Sequence, residues 1–149
     1  GVGEPWFDSV ESVISHAAFS LGGVKGIEFG AGFAAADMKG SECNDPLRVS
    51  GGRIVTTTNN NGGINGGITN GMPIVFRCAV KPTPSIAQTQ DTVDFIKNEN
   101  TQLSIHGRHD PAIIRRICPV LDSVAALCVA DMLSLRYGTD VLTKGVDDK

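Results

Sequence analysis

Between Asn59 and Gly71 the chain reads Asn-Asn-Asn-Gly-Gly-Ile-Asn-Gly-Gly-Ile-Thr-Asn-Gly, with Gly-Gly-Ile occurring twice. No helix survives such a run, because each glycine costs about 1 kcal/mol relative to alanine in a helix interior and asparagine favours turns. It ends a longer segment, Lys39 to Gly71, through which the apolar pattern dies away. A structureless stretch of that length inside a compact domain is usually functional or disordered. Two readings stay open. The clustered amides and asparagine side chains of Gly62 to Gly71 can cradle phosphate or fix the edges of a planar ring, or that loop is a hairpin whose turns need positive φ. It is not a Walker loop, as no Gly-Lys-Ser/Thr closes it. Few apolar residues anchor it, so mobility is expected when no ligand is bound.

Around this segment the pattern is regular. Asp8 with Glu11 predicts a capped helix start. Val10, Val13, Ile14, Ala17, Ala18 and Leu21 recur at helical spacing, and Gly22 supplies the left-handed stop. Val24 to Phe29 reads as a strand and Ala31 to Met38 as a short helical turn. Ile74 to Val80 alternates as a second strand, ended by Pro82 and Pro84, which cannot donate to a ladder. Gln88 to Gln102 is polar and expected to be exposed. After Asp110-Pro111, apolar residues from Ile114 to Leu135 predict a deeply buried helix. Pro119 is placed at the start of its main part, since proline is not accommodated unkinked in a helix interior. The tail from Thr139 to Lys149 is expected to fray.

Length and charge exclude some classes. A chain of 149 residues, 41% apolar and 19% charged, suits one domain with a real core. A net charge of -3 argues against duplex nucleic acid, which needs a basic face. No apolar run is expected to approach the roughly 18 residues of a membrane span, and the N-terminus lacks the features of a signal peptide. The chain opens on Gly1 rather than Met, as a processed or truncated product would. Cys43, Cys78, Cys118 and Cys128 form no Cys-x-x-Cys pair and read as reduced core residues of a cytosolic-type protein. His106 and His109 lie in a loop with no carboxylate or thiolate at ligand spacing, so no metal site is expected. His16 reads as a surface residue.

Three motifs invite chemistry. Gly30-Ala31-Gly32-Phe33-Ala34-Ala35 follows a strand like a relaxed dinucleotide fingerprint. The helical segment after it is too short, however, and no second parallel strand brings an acidic residue. Lys81-Pro82-Thr83-Pro84-Ser85 combines a cation, two hydroxyls and a stiff backbone, suited to phosphate or ring oxygens. In Gly107-Arg108-His109-Asp110-Pro111, Asp110 has a structural task as helix cap with Pro111 at the first helical position, whereas Arg108 has none so clear.

Together these segments resemble the C-terminal part of chorismate synthases. The resemblance runs in family order through Gly3-Glu4-Pro5, Gly22-Gly23-Val24-Lys25-Gly26, Gly32-Phe33, Gly40-Ser41-Glu42, Asn59-Asn60-Asn61-Gly62-Gly63-Ile64, Gly71-Met72-Pro73-Ile74, Lys81-Pro82-Thr83 and Gly107-Arg108-His109-Asp110-Pro111. It implies an α+β fold, antiparallel strands packed on long buried helices, as one portion of a β-α-β sandwich in a cytoplasmic homotetramer. The implied reaction is 1,4-anti elimination of phosphate from 5-enolpyruvylshikimate 3-phosphate to give chorismate, with reduced FMN required although no net oxidation occurs. Flavin contacts are implied at Gly22, Gly23, Gly66, Lys81, Pro82, Thr83, Pro84, Ser85 and Arg108. Arg108 also faces substrate, and Asp110 handles a proton near the flavin N5. Where the family usually carries Asn-Ala or Pro-Ala this chain has Gly22-Gly23, and Pro84 replaces a serine, so contacts there would run through the backbone. The family's N-terminal Gly-Glu-Ser-His-Gly motif and arginine-rich segment do not occur in the 149 residues. The isolated chain is therefore expected to be inactive. The alternative is a non-catalytic flavin- or anion-binding or assembly module of the same fold.

Overall fold

The computed structural model describes residues 1–108 and 112–145. A 3-10 turn, Trp6–Asp8, leads into α1, Val10–Phe19, and then β1, Val24–Phe29. A second 3-10 segment, Gly32–Asp37, precedes α2, Gly40–Cys43, and the hairpins β2, Leu47–Ser50, with β3, Arg53–Thr56, and β4, Ile64–Asn65, with β5, Ile68–Thr69. The chain continues through β6, Phe76–Val80, β7, Gln90–Asp94, and β8, Glu99–Leu103, to α3, Ile114–Tyr137, and α4, Val141–Lys144. All four described strand pairs, β1-β6, β2-β3, β4-β5 and β7-β8, are antiparallel. That topology rules out a parallel dinucleotide-binding unit among the described residues.

The core forms where α1 crosses α3 above the β1-β6 pair. Val10, Ile14 and Ala18 of α1 are buried at steps of four, one stripe of a helix. Val2, Ile64, Cys128 and Met132 close around Val10 and Ile14. Phe29 and Phe76, paired across β1 and β6, stack at 5.8 Å between ring centroids beside this cluster.

Several expectations shift. The cap of α1 is Ser9, whose Oγ accepts from the Ser12 amide at 3.1 Å, because Asp8 is taken into the preceding turn and its carbonyl accepts from Glu4. The left-handed residue after α1 is Gly23, at φ 97°, while Ser20 closes the helix. The segment from Lys39 to Gly71 is not structureless, since it contains α2 and two hairpins. Apart from Gly40 in α2, its glycines take the positive φ that the hairpin reading requires, Gly66 and Gly67 at 59° and 84° making the two-residue turn between β4 and β5. Ile64 anchors it in the core at 2% exposure, so the premise of sparse apolar anchoring fails there.

Helix α3 departs most from expectation. It runs through Pro119 instead of starting there, giving up one backbone bond near its N-terminal end. Within it only Ile117, Cys128 and Met132 are buried, whereas Leu127 and Leu135 are 70% and 79% exposed. The helix is thus half-covered, not deeply buried. By length and composition α3 could also cross a membrane, which corrects the expectation that no apolar run is long enough; a soluble core helix passes the same test. Of the cysteines, Cys128 is buried, Cys43 and Cys78 half-buried and Cys118 exposed, so the core reading holds fully for Cys128 alone. Residues 141–144 form α4, with Lys144 Nζ 2.6 Å from Asp140 Oδ2.

Candidate functional site

The β1-β6 pair sets the site. Beyond the Val24↔Val80 register the Lys81 amide donates to the Gly23 carbonyl at 2.8 Å, so the Gly22-Gly23 corner and the Lys81-Pro82-Thr83-Pro84-Ser85 turn leave the sheet side by side. A Cβ on Gly23 would lie 2.8 Å from Ile113 Cδ1, which brings the start of α3 against the same corner. Gly22 is exposed, and a side chain there would meet open space. Lys81, Pro82 and Pro84 are exposed, and Thr83 and Ser85 half-buried. Arg108 is exposed on the connection leading to α3. His109, Asp110 and Pro111 lie outside the described residues, and with them the capping expected of Asp110.

Gly66 is not part of this cluster. The Gly67 carbonyl accepts from the Val10 amide at 3.0 Å, which ties the β4-β5 turn to the N-terminal end of α1. Gly22 and Gly23 follow its C-terminal end, and ten helical residues separate the two by about 15 Å.

The asparagine run resolves into scaffolding. The Asp45 carboxylate accepts from the Asn60 amide at 2.7 Å, the Asn61 amide at 2.9 Å, Asn61 Nδ2 at 2.8 Å and Thr58 Oγ1 at 2.7 Å. Asn59 Nδ2 donates to the Pro73 carbonyl at 2.8 Å while its Oδ1 accepts from the Gly63 amide at 2.7 Å. The amides of Asn60 and Asn61 thus hold the chain's own anion. Burial pushes the Asp45 carboxyl up, but the bonds from Asn61, Asn60 and Thr58 outweigh it and hold the group below its ordinary 3.8.

The dinucleotide-like glycines have a similar explanation. A Cβ on Gly30, at φ 56°, would lie 2.0 Å from the Asn60 carbonyl oxygen and 2.5 Å from the Gly62 nitrogen. The close backbone approach is therefore to the asparagine loop. At Gly32, at φ 54°, a Cβ would lie 2.1 Å from Glu28 Oε2, which accepts from the Phe33 amide at 3.0 Å while Glu28 Oε1 pairs with Arg77 at 2.6 Å. Sequence reasoning missed both carboxylates. Arg77 opposite Glu28 across β1 and β6 is visible once the register is known, whereas Asp45 lies far from its partners with no local signal.

A depressed carboxyl stabilises the fold above its unfolded pKa, and that stability is lost as pH falls through the folded value. The protection factors of the Asn60 and Asn61 amides, taken against their intrinsic exchange rates, are accordingly expected to fall on acidification below about pH 4. Asp45→Asn, one of whose amide hydrogens faces the donors, should exchange fast already at neutral pH and lose that acid dependence. Wild-type protection unchanged down to pH 2 would contradict this role.

Chemically, the Gly23-Lys81 corner offers an ammonium, hydroxyl-bearing side chains and an exposed backbone, a donor set for a phosphorylated or carbonyl-edged ligand. Burial raises the thiol of nearby Cys78, which favours the neutral form over a nucleophilic thiolate. The described residues are equipped to bind and orient.

A chain of helices and antiparallel strand pairs is the class this geometry defines. The chorismate synthase family profile matches residues 1–134. Chorismate synthase of Methanosarcina acetivorans is 52% identical over 138 residues, covering 93% of this chain and 38% of that protein. That of Chitinophaga pinensis is 54% identical over 144 residues, 97% of this chain and 43% of its own length. A crystal structure of chorismate synthase superposes with a TM-score of 0.73 at 31% identity, over 94% of this chain and 35% of that one. The chain belongs to the chorismate synthase family, and it spans roughly two fifths of the length of these curated relatives.

Proposed function

We propose that this chain is the flavin-holding portion of a cytoplasmic chorismate synthase, a carbon-oxygen lyase of aromatic amino acid biosynthesis. In the complete protein it serves the 1,4-anti elimination of phosphate from 5-enolpyruvylshikimate 3-phosphate, giving chorismate. The observation that carries this reading is the Lys81-to-Gly23 hydrogen bond, which supports bringing two separate flavin motifs of the family to one corner. The donor set there fits FMN: Lys81 supplies a cation, Thr83 and Ser85 carry hydroxyls, and Gly22 with Pro82 and Pro84 gives a bare or stiffened backbone, while Arg108 joins the set on the resemblance. Gly66 lies apart, and its assignment to the flavin rests on the resemblance.

When bound, reduced FMN supplies transient electron density and help in removing a proton, without net oxidation. The chain's own residues do the rest of the local work. Lys81 and Arg108 hold and orient anionic groups, and Asp110 holds or moves a proton near the flavin N5. The half-exposed α3 fits a helix whose remaining cover comes from parts of the complete enzyme outside these 149 residues, in a homotetramer. Taken alone, the chain is inactive, because elimination needs substrate, flavin and proton donor positioned together.

Replacing Arg108 tests the binding role. Arg108→Ala in the complete enzyme is expected to weaken reduced FMN or substrate by about tenfold, the scale of one charge-assisted hydrogen bond. Anaerobic titrations followed by absorbance read this directly. Unchanged affinity for both would remove Arg108 from the site.

A further inference from the structure

The corner that joins the two motifs turns on a residue with no side chain. Gly23 sits at φ 97°, a conformation open to glycine because no Cβ collides, and glycine is also the residue that gives up the most freedom when it is fixed. Its carbonyl nevertheless holds the Lys81 amide at 2.8 Å, where the chain leaves the β1-β6 pair. Nothing on Gly23 itself can pack, so its position has to be set from outside.

Ile113 supplies that contact. A Cβ on Gly23 would lie 2.8 Å from Ile113 Cδ1 and 3.7 Å from Val80 Cγ1, so the isoleucine methyl touches the glycine backbone in the space that a side chain of its own would fill. The place of that methyl is set by α3. The Ile113 carbonyl accepts from the Arg116 amide at 2.9 Å and the Ile117 amide at 3.0 Å, which closes the first turn, and Ile117 is buried. Ile114 and Ile117 line one groove with Val80 of β6, so the start of the helix lies along this end of the sheet. All of these contacts are made within the described residues and do not depend on what covers the chain's outer faces.

We propose that Ile113 is a positioning residue of this corner, serving Gly23 as the side chain that it lacks. Its Cδ1 fixes the Gly23 peptide, the Gly23 carbonyl fixes the Lys81 amide, and the turn from Lys81 to Ser85 is presented in a binding-ready arrangement before the ligand arrives. Preorganisation of this kind raises affinity by moving the cost of ordering from binding to folding. Ile113 acts through Gly23 and Lys81, not by contact with the ligand. The inference rests on the flavin reading of the corner and adds to it the residue that holds the corner in shape.

Anaerobic titration of the complete protein with reduced FMN, alongside a thermal melt, tests it. Ile113→Val removes the Cδ1 carbon alone, and Ile113→Ala removes the branch as well. Both are expected to weaken FMN by about 5- to 30-fold, the cost of fixing one residue's backbone now falling on binding. Ile113→Leu keeps a δ carbon at nearly the same volume and should recover most of the affinity. Met132→Ala is the structural control: it empties a core position at the far end of α3, and should lower the melting temperature at least as much as Ile113→Ala while leaving FMN affinity unchanged. Should Ile113→Ala fail to fold, Ile113→Val carries the test. Unchanged affinity in the valine and alanine variants, no recovery with leucine, or an equal loss in Met132→Ala overturns the inference and leaves the flavin reading standing. A wild-type protein that does not bind reduced FMN overturns the flavin reading and this inference with it.

Discussion

Asp110→Asn in the complete enzyme is expected to lower turnover by ~10² to 10⁴ while leaving the melting temperature within a degree or two, the scale for an acid-base group. Two roles compete for this residue, and the substitution separates them. Asparagine caps a helix about as well as aspartate, so a purely structural Asp110 would be nearly silent in both measurements. Asparagine does not take up and release a proton as a carboxylate does, so a proton-handling role predicts slow turnover in a stable protein. Steady-state kinetics with a thermal melt on the same preparation decide the matter. Wild-type turnover in Asp110→Asn would leave Arg108 as the functional side chain of its motif.

The second large effect falls on stability. Gly30→Ala is expected to cost about 3 kcal/mol, from ~1 to 2 kcal/mol for an L-residue in the left-handed region and ~1 to 3 kcal/mol for overpacking. The methyl would meet backbone of the asparagine loop at 2.0 Å, and backbone yields less readily than the end of a side chain. Gly51→Ala is the control. Its φ of 58° carries the same conformational penalty, but nothing lies within 4 Å of the added carbon, so about 1 kcal/mol should be lost. Urea unfolding of both variants in the complete protein measures the difference. Equal costs would mean that the interlock of Gly30, Asn60 and Gly62 contributes nothing.

How much of this was legible in the sequence depended on the range of the interactions. Helix α1 and strand β1 were readable because Val10, Ile14 and Ala18, then Val24 to Phe29, follow periods imposed by their own backbone. The hairpins within Lys39 to Gly71 were hidden, since Leu47 to Thr56 is exposed on nearly every residue and its strands pair only with each other, so no stripe facing the core marks them. The depth of α3 was overestimated for the related reason that an apolar stripe reports what a helix is made to face, and not whether this stretch of chain supplies that partner. At the site, Lys81 to Ser85 and Gly22-Gly23 could be named from composition and resemblance. Their joining needed the β1-β6 register, and Asp45 needed the tertiary path that brings it to Asn60 and Asn61.

The central claim is that these residues belong to an enzyme eliminating phosphate with the help of reduced flavin. Anaerobic incubation of the complete protein with 5-enolpyruvylshikimate 3-phosphate and catalytic reduced FMN tests it most directly, following chorismate, phosphate and the flavin spectrum together. The account predicts chorismate and phosphate in equal amounts, many turnovers per flavin, the flavin still reduced at the end, and no product from the 149-residue chain alone. Turnover without flavin, flavin oxidised in step with product, or no product from the complete protein would contradict it.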